Sequence, residues 1–244
     1  MHFFYITEPI AGLLRFSEDE SRHCVKVLRL KVGDDLYLTD GKGNLYKGVV
    51  RDNNIKGCQM EVLEQIDDFP RLPYKLHIGI APTKNSDRLE WFIEKAVEIG
   101  ITEITALACE HSEHISVKQD RIQRLMISAM KQSLRIDLPT FNSSTPFADF
   151  IQKTQYHYTQ KHIAYCGELP QSPPLLQTIC QPRQDTLILI GPEGDFSPKE
   201  VQQAVNLGFV PVSLGKFRLR TETAALLACS AMQLLNGCNK KNVI

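Results

Sequence analysis

Short apolar runs alternate with amphipathic helical segments between residues 76 and 236, and this alternation restricts the fold more than any other feature. The apolar runs have the length of buried strands, whereas the segments between them repeat apolar residues every three to four positions. We predict strands at 76–81, 101–108, 163–166, 186–190 and 209–214, and helices at 87–99, 121–134, 197–207 and 222–236. Such alternation is typical of a mostly parallel α/β sheet covered by helices.

The chain before this region has another pattern, in which short strands are separated by turns such as Asp40-Gly41. It predicts a small β barrel or sandwich. One helix is expected near 17–28, because Ser17 and Glu20 have the spacing of a capping pair. Residues 67–73 contain two prolines and two acids, which disfavour helix and sheet and predict a linker. We therefore expect two domains, 1–72 and 73–244.

The composition limits the classes of function. Lysine and arginine total 28, as do aspartate and glutamate, so the formal net charge is zero and strong non-specific attraction to nucleic acid is not expected. The seven scattered cysteines contain no CxxC pair, which favours reduced thiols in the cytoplasm and no metal site. The uncharged run 223–239 is too short for a membrane span, and the N-terminus has no signal-peptide pattern, so no membrane partner is expected.

The segment 187–200 is the most informative stretch for chemistry, because an apolar strand leads into a loop with two glycines and then into a helix. Ser197, Pro198 and Glu200 form a strong helix-start signal. Ligands of open α/β sheets bind outside the carboxyl ends of strands, so this loop is a candidate binding site. An ordinary tight turn remains the alternative. The spacing fits neither a dinucleotide fingerprint nor a P-loop.

A second strand, glycine and helix succession occupies residues 214–225. Lys216, Arg218 and Arg220 alternate there, so an extended loop would direct all three side chains the same way and could meet phosphates. A solvated loop edge is the alternative interpretation. The helix that follows is apolar on most faces, which indicates burial in the core or in a subunit interface.

Five motifs in register resemble one known family. GPEGDFS at 191–197 and LGKFRLRTETA at 214–224 resemble the two signature loops of the RsmE-type methyltransferases of the SPOUT superfamily. Three further segments resemble the family in order: KNSDRLEW at 84–91 with EKAVEIG at 94–100, QSLR at 132–135 with a following Pro139, and HCVKVLR at 23–29 with Gly33-Asp34. The resemblance covers essentially the whole chain.

The resemblance implies a fold, an activity and partners. The expected fold is α/β, with an N-terminal PUA-like β barrel that binds RNA and a C-terminal SPOUT methyltransferase domain with a trefoil knot. The expected activity is methylation of one uridine of bacterial 16S ribosomal RNA at N3, with S-adenosylmethionine (SAM) as methyl donor. The expected partners are 16S rRNA within the small ribosomal subunit and a second copy in a homodimer.

The resemblance also assigns residues to the site. The cofactor-binding set is Ile190, Gly191, Pro192, Glu193, Gly194, Leu214, Gly215, Leu219, Thr223 and Ala224. Arg220 is the candidate that stabilises the uridine anion, and Glu193 the candidate proton acceptor, with a loop-shaping role as its alternative. Two departures are Asp195 in place of a glycine and Phe217-Arg218 in place of a pair such as Arg-Ile. Because aspartate tolerates left-handed backbone, we expect the loop to survive.

The candidate RNA contacts are basic residues in the matched motifs: Arg22, His23, Arg29, Lys84, Arg88 and Arg135. Solvated surface positions are the alternative for each of them. Two other functions stay open. One is an RNA-binding ribosome-assembly protein with a degenerate cofactor site, for which Asp195 is the suspect feature. The other is a nucleotide-binding regulatory dimer without RNA, which the basic row in 214–225 disfavours.

Overall fold

The computed structural model describes residues 2–7, 11–112 and 117–237, and contacts divide the chain into two compact units. Unit 1 comprises Met1–Arg71 and Met130–Leu138, and unit 2 comprises Leu72–Ala129 and Pro139–Ile244. The sequence pattern predicts two consecutive domains, whereas the contacts place a short later segment in unit 1. The reason is local: buried Ile136 packs with Phe3 and Leu45, and the Leu138 amide donates to the Gly41 carbonyl at 2.8 Å.

Unit 1 is a curled five-stranded sheet. Its elements are β1 (Phe3–Tyr5), β2 (Leu13–Arg15), α1 (Glu18–Arg22) followed by a π-helical turn (His23–Val27), β3 (Asp35–Thr39), β4 (Leu45–Asp52) and β5 (Gln59–Ile66). The strand order is β1-β3-β4-β5-β2, antiparallel except for β1 with β3. Leu36 and Leu38 alternate along β3 and point into one core with Met60, as strand periodicity requires.

Unit 2 has the predicted parallel α/β architecture. Its elements are β6 (Leu76–Ile80), α2 (Ser86–Ile99), β7 (Glu103–Ala108), α3 (Gln119–Gln132, of which the last three residues belong to unit 1), β8 (Thr140–Pro146), α4 (Phe147–Thr154), β9 (Gln160–Ala164), α5 (Leu176–Ile179), β10 (Thr186–Ile190), α6 (Pro198–Asn206), β11 (Val210–Val212) and α7 (Thr221–Asn236). All six strands are parallel, in the order β11-β9-β10-β6-β7-β8. Strands β6 and β10 are buried at every position, which explains their largely apolar sequences, LHIGI and TLILI.

The ends of α6 and α2 show how well local sequence signals predict where a helix begins and ends. Ser197 and Glu200 form the predicted reciprocal capping box of α6, with Pro198 in the first turn. Gly100 follows the last residue of α2, where the predicted helix also ends, and has a φ of 126°. The helix begins at Ser86, one residue before the predicted start, because the Asn85 side chain accepts from the Asp87 amide and caps it. In the part of the chain that the structure describes, no helix combines the length and apolarity that crossing a membrane requires.

Candidate methyltransferase site

A cleft of about 1000 Å³ lies in unit 2 at the carboxyl ends of β9, β10 and β11. These three strands are neighbours in the sheet, in the order β11-β9-β10. Open α/β sheets bind ligands outside the carboxyl ends of their strands, where this cleft lies. We call this cavity the loop cleft. It is lined by 164–167, Ser172, Pro173, 190–193, Asp195, 212–221 and Ala224.

The loop after β10 is a tight turn held by backbone geometry. The Asp195 amide donates to the Pro192 carbonyl at 2.9 Å, and Asp195 has a φ of 63°, the left-handed conformation that aspartate was expected to tolerate. A Cβ at Gly191 would lie 3.1 Å from both the ring and the amide nitrogen of Phe196. The close approach of these two segments therefore favours glycine at position 191.

The Asp195 carboxylate connects two loops of the cleft. One oxygen accepts from the Cys166 amide, in the loop after β9, at 2.9 Å, and the other accepts from the adjacent Phe196 amide at 2.8 Å. The His111 ring nitrogen lies 3.0 Å from the Asp195 carbonyl oxygen. The departure from the family glycine thus adds a carboxylate that joins the β9 and β10 loops.

The loop between β11 and α7 forms the other wall. Gly215 has a φ of 140°, which favours glycine, and Ser213 accepts from its amide at 3.2 Å. The Arg218 guanidinium donates to the Glu193 carbonyl at 3.3 Å, and the Thr221 hydroxyl donates to the Gly191 carbonyl at 3.1 Å. These two hydrogen bonds join the β11 loop and the start of α7 to the β10 loop.

The thiol beside this junction is not a candidate nucleophile. Burial raises the pKa of Cys166, the charge of Asp195 raises it further, and Arg218 partly opposes the shift. The thiolate is the nucleophilic form, so the Cys166 thiol is disfavoured for covalent chemistry. Within the described residues, no group of three histidine, cysteine, aspartate or glutamate side chains is arranged to hold a metal ion.

Two family models match the chain. An RNA methyltransferase domain matches residues 70–233, and an RNA methyltransferase PUA domain matches residues 16–62. The first covers more than half of the sequence.

The chain belongs to the RNA methyltransferase family.

Related proteins and structures agree with this assignment. A crystal structure of a probable rRNA-methyltransferase from Porphyromonas gingivalis is 40% identical, with a TM-score of 0.90 over 98% of this chain and 99% of that one. The ribosomal RNA small subunit methyltransferase E of Neisseria gonorrhoeae, solved with S-adenosyl methionine, is 29% identical, with a TM-score of 0.84 over 96% and 98%. The Buchnera aphidicola protein of the same name is 29% identical over 91% of this chain and 88% of its own.

Most of the predicted cofactor residues of this methyltransferase line the loop cleft: Ile190, Gly191, Pro192, Glu193, Leu214, Gly215, Leu219 and Ala224. Gly194 and Thr223 are outside the lining, since Gly194 faces His111 and Thr223 is exposed on α7. Sequence reasoning missed the wall formed by the loop after β9, which includes Tyr165 and Cys166. The only available signal was that this loop also follows the carboxyl end of a strand.

The two candidate catalytic residues both line the cleft. Arg220 is exposed and occupies the N-cap position of α7, where no side chain caps the helix. Glu193 is exposed on the β10 loop, and its carboxylate has no hydrogen-bond or ion-pair partner among residues 2–7, 11–112 and 117–237. A carboxylate that shapes a loop would accept backbone hydrogen bonds, and Asp195 does so instead.

The structure distributes the candidate RNA contacts over both units. In unit 1, Arg22 pairs within α1 with Glu18 at 2.9 Å, and His23 lies edge-on to Phe4. Arg29 is exposed with a φ of 57°. The remaining candidate of unit 1 is Arg135, and those of unit 2 are Lys84, which is exposed, and Arg88, whose guanidinium is 3.8 Å from the buried Glu222 carboxylate.

Proposed function

We propose that this protein transfers a methyl group from SAM to N3 of one uridine of 16S ribosomal RNA in the small subunit. The observation that carries the proposal is the loop cleft, in which the two signature loops meet beside Arg220. The names of the relatives support the ribosomal substrate, and the structure solved with S-adenosyl methionine supports the methyl donor.

The residues of the loop cleft fit this donor. Its volume of about 1000 Å³ is at the upper end of the usual range for small-molecule sites. Ile190, Leu214 and Leu219 offer apolar contacts to an adenine ring, while the loop backbones offer polar groups. Gly191 and Gly215 allow the backbone to approach a ligand closely. When bound, SAM supplies an electrophilic methyl group on a sulfonium.

The residues of this chain align the methyl donor with the uridine, accept the N3 proton and stabilise the charge that its loss leaves. In the transfer, N3 loses its proton, its electron pair forms the new N–CH3 bond, and the old S–CH3 bond breaks with its electrons left on sulfur. The Arg220 guanidinium stabilises the negative charge that develops on the base. Glu193, whose carboxylate is unpaired among the residues that the structure describes, accepts the proton. Because N3 lies on the Watson–Crick edge, the uridine must be unpaired when it enters.

Mass mapping of small-subunit RNA from cells with and without this chain tests the proposal. We expect one uridine to lose one methyl group when the chain is absent, and the purified protein with SAM to restore it. An identical methylation map in both strains would contradict the proposal. The alternative of an assembly protein with a degenerate site requires that SAM does not bind, which calorimetry of the purified protein decides.

Variants of Asp195 make the SAM-binding test more specific. Asp195 is the departure from the family motif that raised the alternative of a degenerate cofactor site. Asp195→Ala is expected to weaken SAM binding at least about tenfold, since charged hydrogen bonds contribute about 1.5–3 kcal/mol each and alanine is strained at positive φ. Asp195→Gly relieves the backbone strain at positive φ but lacks both carboxylate acceptors. Asp195→Asn keeps one acceptor oxygen. Calorimetric affinities equal to wild type in all three variants would show that Asp195 does not hold the site.

We also propose that unit 1 is the PUA-like RNA-binding domain and that Arg29 contacts phosphate. Arg29→Asn removes the charge with a residue that tolerates its left-handed backbone. We expect weaker RNA binding and a slope of log affinity against log salt that is smaller by about 0.7–0.9. Arg51, an exposed arginine paired with Glu61 at 2.6 Å, gives the control Arg51→Gln. Equal slopes for both variants and wild type would remove Arg29 from the interface.

The homodimer and the trefoil knot remain proposals that the family resemblance supports. Helix α7 carries Leu227 and Leu234, which are 40% and 82% exposed and lie two turns apart on one side of the helix. Exposed leucines in this register suit a second copy of the chain as partner.

A further inference from the structure

Phe217 is an exposed aromatic side chain on the rim of the loop cleft. It is 86% exposed and belongs to the loop between β11 and α7. Among the described residues, its ring pairs with no other aromatic ring. A phenylalanine in this position offers solvent a flat apolar face at the cleft in which we propose that the target uridine reacts.

Three cations and one carboxylate without a described partner, that of Glu193, share the cleft with Phe217. Lys216, Arg218 and Arg220 belong to the same loop and line the same cleft. Arg218 is anchored by its hydrogen bond to the Glu193 carbonyl, so its charge is held at the cleft mouth. The nearby Asp195 carboxylate is already used by two backbone amides. An aromatic plane among cations is the combination with which proteins bind unpaired nucleic acid strands.

We propose that Phe217 stacks on a base adjacent to the target uridine, an inference that rests on the proposed function. A uridine that enters the cleft must leave its helix or stack, which uncovers a face of the neighbouring base. Phe217 lies on the rim of the cleft, so the flanking base, not the target, is its partner. The neighbouring side chains Lys216 and Arg218 are exposed cations, which suit the phosphates on either side of a stacked base.

Steady-state methylation of small ribosomal subunits from cells that lack this chain tests the inference. Phe217→Ala is expected to raise the KM for RNA about tenfold, with kcat and the calorimetric Kd for SAM unchanged. Phe217→Leu keeps an apolar side chain without a stacking face and should behave like the alanine variant, while Phe217→Trp should restore the wild-type KM. Tyr156 is 87% exposed and outside the cleft, so Tyr156→Ala is the matched control with wild-type behaviour.

Other outcomes are equally decisive. If Phe217→Leu has the wild-type KM, Phe217 makes a simple apolar contact and does not stack. If light scattering shows that Phe217→Ala changes the mass of the protein in solution, Phe217 lies between two copies of the chain. Either result overturns the inference. If the wild-type protein transfers no methyl group, the proposed function fails. Anisotropy of a fluorescein-labelled single-stranded oligouridine, measured with the same variants, then still tests stacking, because binding needs no transfer. Equal affinities for wild type and Phe217→Ala would exclude it.

Discussion

Arg220→Ala is expected to lower the single-turnover rate of methyl transfer by about 100- to 1000-fold while leaving SAM affinity nearly unchanged, the loss typical of removing one preorganised stabiliser of developing charge. The guanidinium is exposed and lines the cleft. Because the negative charge on the base exists only as the N3 proton leaves, Arg220 acts more strongly on the transition state than on the bound substrates.

Two variants make this result specific. Lys216→Ala removes a neighbouring exposed charge of the same loop and is expected to slow transfer far less. Arg220→Lys keeps the charge but loses the planar donor fork, so an intermediate rate is expected. Calorimetry and a single-turnover assay at saturating SAM separate the two possible roles. Lost SAM binding with a normal rate at saturation would make Arg220 a cofactor residue and refute the catalytic assignment.

The parallel architecture of unit 2 could be predicted because its central strands are buried on both faces. Their sequences are largely apolar runs, as in β10, where four apolar residues follow Thr186 and the predicted and observed bounds agree. Strand β8 was missed for the opposite reason: it is an edge strand with the polar sequence TFNSSTP, and Phe141 is its one buried residue. Its pairing with β7 is a tertiary effect that no local periodicity records.

In the candidate site, too, features set by neighbouring residues could be predicted, whereas contacts between residues far apart in the sequence could not. The α6 capping box and the glycine of the β11 loop are local features, and each was visible as a motif. The hydrogen bond from the Cys166 amide to Asp195 joins residues 29 positions apart, and the bond from the Glu110 amide to Glu200 joins residues 90 apart. Spacing along the chain cannot reveal such contacts, so the wall formed by the β9 loop was not predicted.

Two buried histidines make the stability of unit 2 sensitive to mild acid. His77 is 2% exposed, and its ring nitrogens lie 2.6 Å from the Tyr158 hydroxyl and 2.8 Å from the Thr105 hydroxyl. Burial lowers the pKa of His77 to about 4, although the charge of Glu103 opposes the shift. His77 is therefore neutral at pH 7, and its 3.6 Å approach to Glu103 is not an ion pair there. Burial also lowers the pKa of His162 to about 4.

The direction of the pH effect follows from these shifts. In the unfolded chain both histidines take up protons near their ordinary pKa of about 6.5, whereas in the folded chain they resist protonation until about pH 4. Between these values the unfolded state binds more protons, so the free energy of unfolding falls as the pH falls. The expected loss is about 1.4 kcal/mol per pH unit for each histidine, or roughly 3 kcal/mol for each by pH 4.

Urea unfolding between pH 7.5 and 4 measures this loss, and His162→Leu isolates one histidine from the carboxylates that also titrate in acid. His162 is the better site, because among the described residues its Nδ1 has no hydrogen-bond partner and its Nε2 is 3.3 Å from the Cys180 sulfur. Replacing it with leucine therefore removes little hydrogen bonding. The variant should lose about 1.4 kcal/mol per pH unit less than wild type below pH 6.5. His157→Gln, at a histidine exposed to water, should retain the wild-type slope. Parallel curves for wild type and His162→Leu would mean that His162 binds its proton equally in both states, and burial would then not control its charge.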